Sequence, residues 1–260
     1  MGGLGQRIRS LAWLSVLELY RRKDLYVALV LTAVVLVPLS AYNVFGVTGV
    51  VRHLREVSLL LVWLFSILVG ISVAGRQFPP ELENRTIYPL LAKPVRRWEL
   101  LLGKFLGALL ASGSALLLFY LGFVVVAGLK QGIWLDAVTV QAFLLHLAFL
   151  LVVTALALLG SLLLTPAANV TLCGLVTAGM LLFGGQLAGL AREAAFPANC
   201  LAWLLNLAGP HLDFFDLRQR VVHGWEPLPL GVLAAVLLYA LCYTGLLLGG
   251  AAWLLHRKKI

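Results

Sequence analysis

Six apolar runs, each long enough to cross a bilayer, constrain this chain more than any other feature. A hydrocarbon core of about 30 Å takes roughly twenty apolar residues of helix. The runs cover about 25–45, 57–75, 105–128, 138–164, 167–190 and 228–255. Only Thr165-Pro166 separates the fourth from the fifth. Proline interrupts a helix because it lacks an N–H and its ring clashes with the preceding turn. Without that break the two runs would read as one, far too long for a single span. Lipid offers no partner for a bare backbone, so apolar runs of this length cross it as helices. The expectation is an all-α polytopic membrane protein with six transmembrane helices, forming one domain over 1–260.

Composition agrees with that class. The chain is 62% hydrophobic and only 12% charged, about half the charged share of a soluble domain. A net charge of +9 would suggest nucleic acid in a soluble protein. Here the basic residues sit at the ends of the apolar runs, where they set orientation and meet anionic headgroups. Placing the N-terminus inside puts fourteen of the 20 Lys and Arg residues on the cytoplasmic side and six outside. The outer six are Arg52, Arg55, Lys130, Arg192, Arg218 and Arg220. The bias predicts a multi-pass protein of the cell membrane with both termini cytoplasmic.

Residues 1–24 read as an imperfect amphipathic interfacial helix, with Leu4, Ile8, Leu11 and Leu14 at helical spacing among basic residues. A signal peptide fits less well. The apolar centre is short, Arg21-Arg22-Lys23 follows it, and no small-residue cleavage site appears. The three cysteines are Cys173, Cys200 and Cys242. They are far apart and show no metal or disulfide spacing.

The most charged stretch lies between the second and third runs and reads RQFPPELENRTIYPLLAKPVRRWELLLGKFLG, Arg76 to Gly107. Pro79 and Pro80 stop the preceding helix and fit the first turn of the next. Glu81 and Glu83 would lie in that first turn, where the helix dipole favours acids. Leu82, Ile87, Leu90 and Leu91 supply an apolar side. Pro94 biases Lys93 towards an extended conformation, and a second helix starts near Arg96 and runs into the next span. The reading is an amphipathic lever at a membrane face, joined rigidly to a transmembrane helix. The blander alternative is a solvated loop that obeys the positive-inside rule.

The order Glu-x-Glu-x-Arg-Thr-Ile, Leu-Leu-Ala-Lys-Pro-Val-Arg-Arg and Glu-Leu-Leu-Leu-Gly-Lys-Phe-Leu-Gly resembles the first cytoplasmic loop of type-2 ABC (ATP-binding cassette) exporter permeases. That resemblance implies that the loop 76–104 carries a coupling helix docking on an ATPase subunit. The residues it assigns to coupling are Glu81, Glu83, Arg85, Thr86, Ile87, Leu90, Leu91, Lys93, Pro94, Arg96, Arg97, Gly103 and Lys104. It also implies a cytoplasmic ABC ATPase dimer as partner, and a second permease copy or a similar permease. No cofactor is expected in this chain, because ATP and Mg would belong to the ATPase. The motif says nothing about substrate.

The chemistry missing from the sequence narrows the reading further. Gly103-Lys104 superficially resembles a P-loop, but Phe105 stands where Ser or Thr is required. No HExxH, GxSxG or paired intramembrane carboxylates occur, so this chain is not expected to be an enzyme. Ion-coupled transporters usually need ionisable groups at depth, and the spans hold essentially no acids. His146, Gln141 and Asn169 are the polar residues that could line a pathway. Helix–helix hydrogen bonding is the plainer role for each. Residues 191–227 contain a short apolar run, AAFPANCLAWLLNLA, and the aromatics Trp203, Phe214, Phe215 and Trp225. This fits short exoplasmic helices, re-entrant or interfacial, between spans five and six. Such helices also occur there in the family it resembles. The reading is a permease subunit of an ABC-type export system. The alternative is a non-transporting membrane scaffold that binds a cytoplasmic partner through 76–104.

Overall fold

The computed structural model describes residues 50–79, 97–131, 135–193 and 197–257, with single positions before them. The predicted first span, the helix of 1–24 and the coupling residues 81–96 lie outside the described residues. Among the described residues, five helices are long and apolar enough to cross a membrane and no strand occurs.

These are α1 (Val50–Gly75), α2 (Arg97–Gln131), α3 (Ala137–Ser161), α4 (Pro166–Glu193) and α7 (Leu230–Arg257). Between α4 and α7 runs a connector of α5 (Ala198–Ala208), a 3-10 turn (Leu212–Phe215) and α6 (Arg218–His223). Pro166 is the first residue of α4, a position that needs no N–H. Asp136 caps α3, its carboxylate accepting from the Thr139 amide at 2.9 Å.

Helices α1 and α2 extend past their apolar runs. α1 begins seven residues before Val57, adding the polar turns around Arg52, Arg55 and Glu56. α2 begins at Arg97 and runs for 35 residues, about 52 Å at 1.5 Å per residue. An apolar run measures the lipid that a helix crosses, not the length over which the backbone stays helical.

The spans alternate in direction. One end of the bundle, termed the anchor end, collects Phe78, Leu100, Leu101, Phe105, Leu158, Leu162, Ala251 and Leu255 in one buried apolar cluster. The main core fills the rest, with Trp63, Phe119, Tyr120, Phe149 and Phe215 between α1, α2, α3 and the connector. Helix α3 is the axis, packing on α1, α2, α4, α7 and the connector. Helix α7 lies at the edge, chiefly against α3.

The connector reaches deep into the bundle. The Tyr243 hydroxyl, at the middle of α7, donates to the Ala208 carbonyl at 2.7 Å. A Cβ on Gly209 would meet Met180, at the middle of α4, at 2.8 Å. Leu212 and Phe215 are fully buried. The bottom of the connector therefore lies beside the mid-length of α4 and α7.

Candidate functional site

Two assemblies carry the polar groups. The first is at the anchor end, where the charged segment leaves α1 and enters α2. Phe78, just beyond α1, is fully buried in the anchor cluster. Lys104, 5% exposed, donates from Nζ to the Gln77 carbonyl at 2.6 Å and lies 5.0 Å above the Phe78 ring. A buried ammonium is tolerable only with such partners. A carbonyl just past a helix C-terminus is a favourable one, because the dipole there attracts cations. Arg97, first residue of α2, donates from one guanidinium nitrogen to the Leu255 carbonyl at 2.8 Å and to the His256 carbonyl at 3.1 Å. Those carbonyls end α7 and have no partner within their own helix. Glu99 is also buried, in the first turn of α2. Its Oε2 has no hydrogen-bond partner among the described residues.

Of the expected coupling residues, Arg97, Gly103 and Lys104 are described, all on the first turns of α2. Glu81, Glu83, Arg85, Thr86, Ile87, Leu90, Leu91, Lys93, Pro94 and Arg96 lie outside the described residues. Both residues flanking that segment, Phe78 and Arg97, are pinned to one platform built from α1, α2, α3 and α7. Sequence reasoning missed Gln77 and Phe78. The available signal was Phe78 itself, a lone large aromatic among charges and prolines.

The second assembly surrounds His146 in mid-α3. Its ring is fully buried and stacks on Trp63 with centroids 4.2 Å apart. His146 Nε2 and Ser66 Oγ are 2.7 Å apart, and Ser66 Oγ donates to the Trp63 carbonyl at 2.9 Å. A hydroxyl has one proton, and whether the Trp63 carbonyl or His146 Nε2 takes it sets the imidazole tautomer. Nδ1 is without a partner among the described residues. Tyr120 and Phe149 meet the imidazole edge-on. The Arg218 guanidinium lies 5.2 Å from the Trp63 ring centroid. Its geometry is set by Asp216, which takes Nε–H at 2.9 Å and Nη2–H at 2.6 Å. Cation–π contact and a forked carboxylate pair thus tie the connector to α1.

Gln141 and Asn169 stand apart from His146. Near the start of α3, the Gln141 amide donates to the Leu228 carbonyl at 3.0 Å and accepts from the Leu228 amide at 2.7 Å. That pair fixes the chain just before α7. Asn169, fully buried in α4, donates to Ala157 O of α3 at 2.9 Å and to Gly75 O of α1 at 3.5 Å. It also accepts from Cys173 Sγ at 3.2 Å. A Cβ on Gly160 would meet Asn169 Oδ1 at 2.1 Å, and one on Gly75 would meet its Nδ2 at 2.9 Å. The two glycines make room for the amide. The three residues are spread along the bundle and do not converge on one cavity.

No group of three or more His, Cys, Asp or Glu side chains suited to a metal occurs among the described residues. No curated protein matches the chain. The family described as "ABC-2 family transporter protein" matches residues 64–260, well over half of its length. The match takes in the charged stretch and all of α2 to α7. A multi-pass membrane protein built this way, with that match, belongs to the ABC-2 transporter family.

Proposed function

We propose that this chain is the membrane-spanning permease subunit of an ABC-type export system, driven by a separate ATPase dimer. The observation that carries the reading is the anchoring of the segment 80–96. One flank is held by Phe78 and the Lys104–Gln77 contact, and the other by Arg97. Force applied to that segment therefore meets a rigid platform and reaches several spans together. The family match supports the permease role. The ATPase, the direction of transport and the coupling helix are this proposal's own content.

On this reading the anchor end is cytoplasmic, and the connector enters from the outer face as a re-entrant cap. A second permease copy completes the pathway, and lipid covers the remaining apolar faces. Single cysteines at Arg76 and Trp225, in a Cys-free background, should label from opposite sides of intact cells. Labelling of both by an impermeant reagent would overturn the orientation.

The central test is purification in mild detergent, asking which soluble chain accompanies the protein. An ATPase is expected. An amphipathic helix in a groove is held by its apolar anchors more than by its rim charges. Ile87→Asp or Leu91→Asp should therefore lose permease-stimulated ATP hydrolysis, with membrane protein level unchanged, while Arg85→Ala loses far less. Wild-type ATPase binding and export in Ile87→Asp would instead favour a scaffold that binds another partner.

A further inference from the structure

Gln141 of α3 clamps Leu228 just before α7 begins, and two further polar contacts hold the helix along its length. At its C-terminal end, Arg97 of α2 supplies the donor for the Leu255 and His256 carbonyls. At its middle, the relation reverses and α7 serves the connector. Tyr243 donates to Ala208 O, the carbonyl of the last residue of α5. Tyr239 accepts from the His211 amide at 2.9 Å. The Phe214 and Phe215 rings pack on Tyr239 with centroids 5.9 and 6.2 Å away. Twelve residues of unbroken helix separate Tyr243 from Leu255, about 18 Å at 1.5 Å per residue.

Elsewhere α7 packs along one face, chiefly on α3, and leaves the opposite face open. Only 11% of its spanning window is buried, against 67% for α3. Between Tyr243 and Leu255 it packs on α3 through apolar contacts such as Gly250 against Leu159. One unbroken helix therefore joins the contact at its C-terminal end to those at its middle. The turn that its tyrosines hold is the one whose neighbour, Arg218, lies over Trp63 beside His146.

We propose that α7 is the transmission rod of the protein, with Arg97 its input contact and Tyr239 and Tyr243 its output contacts on the connector. The proposal rests on the permease reading above, which supplies the force at the anchor end. Arg97 is thus a positioning residue with two roles in one side chain. It continues the backbone of the charged segment into α2 and passes displacement sideways to α7. Coupling of this kind is demonstrated only by a shared element that responds to both contacts. The prediction is therefore a specific loss of response, not a loss of fold.

The test uses the full chain in complex with the ATPase that co-purifies, carrying spin labels at Leu135→Cys before α3 and Trp203→Cys on α5. Both positions are exposed. The label distance is measured by pulsed EPR without nucleotide and with ATP plus vanadate. In the otherwise unaltered protein, nucleotide should shift the distance. Tyr243→Phe should abolish the shift while the ATPase still co-purifies, and Arg97→Ala should abolish it as well. Arg97→Lys, which keeps a cationic donor near the α7 carbonyls, should restore much of it. The double variant should be no worse than either single one, as two contacts on one path require. A full shift in either Arg97→Ala or Tyr243→Phe would overturn the rod and leave the permease reading standing. Loss of ATPase binding in Arg97→Ala would also overturn it, by making Arg97 a docking residue. If no ATPase accompanies the unsubstituted protein, the permease reading fails and the rod falls with it.

Discussion

Helices α3 and α7 are closely similar in length and hydropathy, yet the bundle treats them differently. Within its spanning window α3 is 67% buried and α7 is 11% buried. α3 presents Phe149, Leu150, Val152, Val153, Ala155 and Ala157 to other helices, all with no exposure. α7 leaves Leu238, Leu241, Leu246 and Trp253 more than half exposed. In water such a surface would mark a partner site. In a membrane it need not, because lipid tails are as apolar as leucine and give no drive to hide it. Hydropathy therefore selects what enters the bilayer, and shape selects what stands at the centre.

The sharpest way to break this comparison is to truncate a central side chain. Phe149→Ala empties a site packed by Trp63, His146 and Phe215. It should cost about 3–5 kcal/mol, read as a large drop in the detergent melting temperature.

Adding volume near the C-terminal end of α3 should cost less. Gly160→Ala drives a methyl group into Asn169 Oδ1, and overpacking of this kind costs about 1–3 kcal/mol. The same substitution in an Asn169→Ala background should be much milder, since the obstruction is gone. Equal effects in both backgrounds would mean that the α1–α3–α4 junction does not depend on the amide.

Removing the clamp at the far end tests how α7 is held to α3. Gln141→Ala leaves both backbone groups of Leu228 without their partner. The expected loss is about 1–3 kcal/mol if water cannot replace it. Faster hydrogen exchange should be confined to the start of α7. Exchange that quickens along all of α3 would show that the clamp stabilises the core itself.

The smallest effect is expected on the open face. Leu241→Ala on α7 should lie within about 0.5 kcal/mol, as for most exposed positions. A loss as large as that of Phe149→Ala would show that a second copy covers this face, and the contrast between the two helices would then belong to the lone protomer only.

Much of the architecture was legible from residue order. The Thr165-Pro166 break divides α3 from α4 where expected, because a proline acts on its own turn and needs no tertiary partner. The family was legible because the charged stretch keeps its residue types in order. The contacts of the candidate site were not. Nothing local distinguishes Gly160 from the open Gly245, or tells that Gln77 would offer its carbonyl to Lys104. His146 and Asn169 stood out as polar residues in apolar runs. Their partners, Ser66 and Gly75, lie 80 and 94 residues away in the chain.

For the five runs that fall among the described residues, sequence alone determined which segments are helical and long enough to cross a membrane, because each depends on its own apolar length and its own prolines. Only the tertiary structure decided that α3 is the axis and α7 the edge, that the connector descends to mid-bundle, and that Arg97 completes the end of α7. Those outcomes depend on which surfaces fit together at a few ångströms. Helices of nearly equal hydropathy are interchangeable to lipid, and the choice between them falls to packing and to the few polar groups that must find partners.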